Sequence, residues 1–250
     1  MTELLVTALW RYPFKSTQGA AHDVLDFTED GIVGDRIWAL RTPDGHLCSA
    51  KRYSAMLMAT GHDDGTVTTP QGDVLRSDAE MSTWMGRAVR RIGREDNPGL
   101  PFEMTFDPPN DDAEMVEIPS PPAALVDDAH VHLLSTSTLR WCATRRPDLD
   151  WDPRRFRPNL LLDHTSPDEA DAFVEDTWIG SEVTVGETIL YVEKATVRCA
   201  MPLRAQPRLR RQAALFAAMD ELHANHLGVY ARIVRPGRVR IGDAVKPSTT

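Results

Sequence analysis

The sequence predicts a mainly β protein of two packed units with a few helices. Short runs rich in β-branched and aromatic residues recur between Gly, Pro and Asp, and few stretches carry helical spacing. A proline- and acid-rich stretch also interrupts the chain near its middle.

The first strand is Leu4 to Trp10 and the next clear one Ile37 to Arg41, each bounded by turn residues. Ser77-Asp78-Ala79-Glu80 has the spacing of a capping box ahead of Met81, Trp84 and Met85, and Gly86 stops that short helix. From Asp96 to Asp128 run Pro98, Pro101, Pro108, Pro109, Pro119, Pro121 and Pro122, with acids clustered around Asp111. Proline has no N–H to give a central ladder and breaks a helix interior, so this stretch is expected to be a connection. It divides the chain into a unit over 1–100, a connection over 101–122 and a unit over 123–248. In the second unit, His130 to Leu134, Phe156 to Asp163 and Thr188 to Thr196 read as strands, and a helix begins near Leu139. Arg210 to Asn225 places Leu215, Phe216, Met219 and Leu222 at helical spacing, with Gly228 as punctuation. Val229 to Ile233 and Val239 to Ile241 flank Pro236-Gly237 and read as a hairpin. No internal repeat is visible, and the only low-complexity piece is the polar tail Ser248-Thr249-Thr250.

At 250 residues with 42% hydrophobic content, the chain can bury a core unaided. The opening Met1-Thr2-Glu3-Leu4-Leu5 lacks a basic leader region, and nowhere do about 18 apolar residues run together, so a soluble cytoplasmic protein is expected. Cys48, Cys142 and Cys199 are odd in number and unpaired in spacing, which argues against a disulfide framework or a closed zinc site. The net charge of −9 repels nucleic acid and anionic membranes, so neither is expected as a partner.

Cys199 lies at the end of a β-branched run beside Arg198, in Ala195-Thr196-Val197-Arg198-Cys199-Ala200-Met201-Pro202. A thiolate is both a strong nucleophile and a soft metal ligand, and an adjacent guanidinium favours its formation. Taken alone, a lone cysteine is more often a small buried hydrophobe. Arg11-Tyr12-Pro13-Phe14-Lys15-Ser16 puts Lys15 and Ser16 on the turn where the first strand ends. That pairing grips phosphate in some turns and is merely solvated in others. Gly34-Asp35-Arg36-Ile37-Trp38 sets Arg36 at a strand start, where it meets either a neighbouring carboxylate or an anion. Ser135-Thr136-Ser137-Thr138 would cap the helix that follows, and the same free N–H groups can hold an anion. In Arg155-Phe156-Arg157-Pro158-Asn159, Arg157 and Asn159 alternate with apolar neighbours and would share a strand face, where buried basic groups need a partner. Four such segments in an acidic chain point to an enclosed anionic ligand, phosphate-bearing by preference.

Other candidates are weaker. His223 and His226 could share a metal but have no third ligand, and His130 and His132 fare the same, so surface pairs are the simpler reading. Cys142 reads as packed, and Cys48, in a turn after Gly45, could be exposed without being activated. No Gly-x-Ser-x-Gly, Gly-x-Gly-x-x-Gly or Walker loop occurs.

Taken in order, Arg11 to Ser16, Gly34 to Trp38, Arg155 to Asn159, Glu175-Asp176-Thr177-Trp178-Ile179-Gly180, Arg198-Cys199, and Gly228-Val229-Tyr230 with Gly242-Asp243 resemble the MOSC family over nearly the whole chain. The resemblance is to its two-part form. That form joins a smaller N-terminal MOSC-associated β-barrel to a β-barrel MOSC domain, named after the C-terminal part of molybdenum cofactor sulfurase. It implies a pterin-based molybdenum cofactor (molybdopterin) held between the parts. In the branch that includes the mitochondrial amidoxime reducing component and its bacterial relatives, a cysteine matching Cys199 ligates the metal, and N-hydroxylated small molecules are reduced. By residue-wise transfer, Lys15, Ser16 and Arg36 would hold the pterin and phosphate. Ser135, Thr136, Arg157 and Asn159 would line the site, with Arg198 beside the thiolate. The chain has no cysteines for an iron-sulfur cluster and no flavin motif, so a separate ferredoxin- or flavoprotein-type reductase would supply electrons. After Cys199 the family often shows a threonine and a glycine, where this chain has Met201-Pro202-Leu203 and a basic run to Arg211. Two alternatives stand beside this reading. One is a sulfur carrier using a Cys199 persulfide, and the other a non-catalytic cofactor-binding module.

Overall fold

The computed structural model describes residues 3–165 and 168–248; Met1 and Thr2 of the opening stretch and Thr249 and Thr250 of the tail lie outside them. Strands dominate, with three α-helices among the described residues: α1 (Asp78–Met85), α2 (Thr136–Arg145) and α3 (Ala214–His223).

An eight-stranded sheet forms the larger body, in the order Val245–Pro247, Glu182–Val185, Thr188–Val197, His226–Arg235, Val131–Ser135, Leu160–His164, Leu4–Arg11 and Ala20–His22. Its long strands alternate buried and solvent-facing residues, so that Leu190, Val192, Val229, Ala231, Leu133 and Leu160 point into one core. All neighbours are antiparallel except Val131–Ser135 and Leu160–His164, which are parallel because the chain crosses back between them through α2. The sheet curls until its ends meet. The Val6 N–H donates to the Asp243 carbonyl at 2.9 Å and the Gly242 N–H to the Val6 carbonyl at 2.8 Å.

A second body is built from small sheets around Phe14, Leu40, Met56, Leu57 and Met81. Trp38–Arg41 pairs with Arg90–Gly93, and Thr60–Gly61, Val67–Thr68 and Val74–Leu75 form a meander. The two bodies interlace. The first strand belongs to the large sheet, and Val24–Thr28 pairs with Gly237–Arg240 from the far end of the chain.

The helix at Ser77 forms as the capping box predicts, with Glu80 closing the box and Gly86 in the left-handed conformation at φ 65°. Three expectations are corrected. The stretch read as a connection folds in part as a hairpin, Pro101–Met104 paired with Val116–Pro119, and Phe102 is buried beside Ala39, Leu47, Ile92 and Leu125. Its prolines sit at strand ends, where a missing N–H costs no ladder bond. The C-terminal segments do not form a hairpin with each other. After Pro236 the chain leaves the large sheet, and Gly237–Arg240 pairs with Val24–Thr28. Cys48 is fully buried rather than exposed, its amide donating to the Leu40 carbonyl at 2.8 Å.

Because Phe102 anchors the hairpin to the smaller body, Phe102→Ala should cost about 3–5 kcal/mol in chemical denaturation. A loss below about 1 kcal/mol would mean that the segment is an unpacked linker.

Candidate functional site

Two of the sequence motifs meet where the first strand ends. The Tyr12 amide donates to Asp35 Oδ1 at 2.7 Å, the Arg36 amide to the Tyr12 carbonyl at 2.7 Å, and the Lys15 amide to the Trp38 carbonyl at 2.8 Å. Buried Phe14 fixes the turn from below. Lys15, Ser16 and Arg36 are thereby turned toward residues of the large sheet. They line a cleft with Asp127, His132, Arg157, Asn159, Arg198, Cys199 and Tyr230. The cleft has a volume of about 90 Å³ and is open to solvent on one side.

Backbone strain concentrates here. Ser16 (φ 68°), Arg36 (φ 47°) and Arg157 (φ 55°) all adopt the left-handed conformation, which costs a side-chain-bearing residue about 1 kcal/mol or more. Arg157 and Asn159 therefore do not share a strand face as expected. The strand begins only at Leu160, because Pro158 cannot donate to a ladder. Asn159 instead fastens the seam with its side chain. Its Oδ1 accepts from the His132 amide at 3.2 Å and from Arg36 Nη1 at 3.3 Å, while its Nδ2 donates to the Trp10 carbonyl at 3.2 Å.

The charges fall into two groups. Lys15 and Lys51 both pair with Asp127, the latter at 2.8 Å, and both ammonium groups lie over the Phe102 ring. Burial alone would raise the Asp127 carboxyl, but the two lysines hold it far below the usual carboxylate range. Arg36 likewise pairs with Asp35. Arg157 and Arg198 have no carboxylate partner among the described residues. Arg157 Nη1 donates to the Thr17 carbonyl at 2.6 Å, and the guanidinium lies 4.1 Å from the Tyr12 ring centre. Burial brings its pKa down to about 10, against the opposing pull of Tyr12. Arg198 donates to the carbonyls of Phe156 at 2.7 Å and Leu227 at 3.3 Å, and its Nε is buried with no acceptor.

Cys199 follows Arg198 at the end of the long strand. The Arg198 amide donates to the Asn225 carbonyl at 2.9 Å and Asn225 Nδ2 returns a bond to the Arg198 carbonyl at 2.8 Å, so the backbone that carries the thiol is pinned. The thiol is partly exposed to the cleft, whereas Cys48 and Cys142 are buried and pushed up to about 12 by desolvation. Gly228 is required nearby. Its φ is +76°, and a Cβ there would meet His132 Nε2 at 2.5 Å.

Ser135 and Thr136 are not brought to the cleft. Ser135 caps α2, accepting from the Ser137 amide at 3.1 Å, and the anion at this helix N-terminus is the protein's own Glu175. Glu175 accepts from the Ser135 amide and from the Thr138 hydroxyl, each at 3.1 Å. Complete burial raises its carboxyl to about 7. His223 and His226 stand edge to face with ring centroids 6.5 Å apart, and His223 Nε2 bonds Asp176 at 2.6 Å; no group of three or more potential metal ligands occurs among the described residues.

Residue-by-residue reading missed Tyr12, Lys51, Asp127 and Tyr230, and it took His132 for half of a surface pair where the structure buries it at the cleft. His132 is buried on a sheet strand, and desolvation followed by Arg198 drives its pKa well below the ordinary imidazole value. Burial pushes the phenols of Tyr12 and Tyr230 up to about 12. Tyr12 and Tyr230 stood inside quoted motifs, while nothing around Lys51 or Asp127 marked them.

The sequence matches the family model described as MOSC domain over residues 121–246 and that described as MOSC N-terminal beta barrel domain over residues 3–105. No curated protein matches it. Among solved structures it is similar to the YUAD protein from Bacillus subtilis, at 15% identity over 100% of both chains with a TM-score of 0.49. It is also similar to YiiM from Escherichia coli, at 13% identity over 49% of this chain and 56% of that one, with a TM-score of 0.35.

The Glu175 carboxyl yields a pH test of the sheet–helix junction. Its folded pKa lies above its unfolded one, so its contribution to stability is present in acid and is lost as pH rises through about 7. Glu175→Gln should therefore gain stability relative to wild type as pH rises from about 4.5 to about 8 in thermal unfolding. A difference that stays flat across that window would show that the buried carboxyl carries no raised pKa.

Proposed function

This chain belongs to the MOSC family, and from that premise we propose that its cleft binds a pterin-based molybdenum cofactor with Cys199 as the protein's ligand to the metal. The protein would act as an oxidoreductase on N-hydroxylated small molecules, drawing electrons from a separate reductase.

The carrying observation is that Arg157 and Arg198 converge on the cleft without a carboxylate while a partly exposed thiol stands beside them. Guanidinium groups withdrawn from water call for an anion, and the Arg198 Nε has no acceptor within the protein. A phosphate-bearing ligand answers that need, and a single thiolate suits a metal whose other ligands arrive on an organic group.

When bound, such a cofactor supplies two-electron redox chemistry suited to removing oxygen from an N–OH group. The chain's own residues bind and hold. Lys15, Ser16, Arg36, Arg157 and Asn159 form the anion-facing wall, and Asp127 pairs with Lys15 there and with Lys51 behind it. His132 is neutral. Its Nδ1 faces the Arg157 carbonyl at 3.4 Å, and its Nε2 faces both the Leu227 carbonyl and Arg198 Nη1 at 3.4 Å. The Tyr230 phenol keeps its proton at neutral pH, so it serves as a hydrogen-bond donor and not as a base.

Protein made in a cofactor-competent host should carry molybdenum and pterin. Arg157→Gln should lower pterin retention about tenfold, and Cys199→Ser should abolish reduction of an amidoxime while pterin remains measurable. Wild-type protein that holds neither metal nor pterin, before or after reconstitution, overturns the reading. A Cys199-dependent persulfide in that empty protein would assign it to sulfur transfer instead.

A further inference from the structure

A second concavity, about 830 Å³ and open to solvent, is lined by Arg204, Arg211, Asp111, Met58 and Met115, with Arg52 paired to Glu103 and Asp112 also at its wall. None of these residues lines the cleft of Cys199. The two sites adjoin through Lys51, whose carbonyl accepts from Arg204 Nη2 at 2.8 Å while its ammonium pairs with Asp127.

The floor of this groove is an arginine pair clamping a carboxylate. Asp111 presents one oxygen to Arg204 and the other to Arg211, the second at 2.9 Å. Arg211 Nη2 also donates to the Pro109 carbonyl at 2.8 Å. The partners are unequally held. The Arg204 side chain is only 9% exposed, and its Nε is buried without an acceptor, whereas the Asp111 side chain is 54% exposed. Asp111 also lies outside regular structure, between the strands Pro101–Met104 and Val116–Pro119. A buried cation thus has a solvent-facing counter-ion, and beside them lie the apolar side chains of Met58, Met115, Ala55 and Ala113. This is the chemistry of a receptor for a carboxylate with an apolar body.

We propose that the groove binds small amphipathic carboxylates, the ligand carboxylate replacing Asp111 between Arg204 and Arg211 while its apolar part rests on Met58 and Met115. Asp111 is a tethered competitor in this arrangement, so the apparent affinity of the wild-type protein is reduced by the fraction of time that Asp111 is in place. The assignment stands apart from whatever occupies the Cys199 cleft.

The test is a titration of the whole chain with phenylacetate, followed by methyl NMR of labelled methionines. Met58 and Met115 report on the groove and Met201 on the cleft. Saturable shifts at Met58 and Met115 with Met201 unmoved are expected. Asp111→Asn should bind about tenfold tighter, and the added change Arg211→Gln should reverse the gain. Phenylacetate should also raise the Tm of Asp111→Asn more than that of wild type. Shifts confined to Met201, or no saturable shift at Met58 and Met115, overturn the proposal. Should Asp111→Asn fail to fold, the wild-type titration decides alone, and equal affinity of wild type and Arg211→Gln also counts against it.

Discussion

Two guanidinium groups drawn into a cleft, neither of them paired with a carboxylate among the described residues, set the terms for the rest of this structure. Carbonyl oxygens and an aromatic ring satisfy part of their donor capacity, but neutral acceptors do not cancel a charge withdrawn from water. Their surroundings are arranged to tolerate this. Arg36 is tied to Asp35, while Lys15 and Lys51 share Asp127, so the paired carboxylates offset two of these three cations before Arg157 and Arg198 add theirs. His132, wedged beside Arg198, stays neutral because a further positive charge there is too costly.

The strain and the charge lie in the same place. Holding Ser16, Arg36 and Arg157 in left-handed conformations raises the energy of three turns, and neighbouring bonds over-determine each one. Asn159 ties two of those turns to the large sheet, while Phe14 locks the third from the core side. A wall assembled from both bodies of the protein is thus tied to the large sheet and to a packed core, although most of its side chains come from irregular backbone.

Much of the fold was legible in the sequence where physics is local. The capping box at Ser77, the β-branched run ending before Cys199 and the apolar spacing of α3 each carry their own structural signal. Long-range pairing was not legible. Nothing in Gly237–Arg240 announces Val24–Thr28 as its partner, and the buried hairpin of Phe102 hides behind prolines that happen to occupy strand ends. In the site, Lys15, Ser16, Arg36, Arg157, Asn159, Arg198 and Cys199 do converge. Ser135 and Thr136 failed for an instructive reason. A helix N-terminus attracts an anion, and here the chain supplies one from Glu175, a residue some forty positions away that no local pattern connects to it.

The interlacing of the two bodies bears on how the molecule is made. The strand Leu4–Arg11 has one partner close by, Ala20–His22, but its other edge meets Leu160–His164 and its start meets the chain around Asp243, both made much later. One apolar edge of that strand therefore stays unpaired until the later strands are made, although the turn that follows it is already tied to Asp35 and Trp38 within the smaller body. Closure of the large sheet is in this sense a late event, and the nascent chain carries an aggregation hazard that the finished sheet conceals.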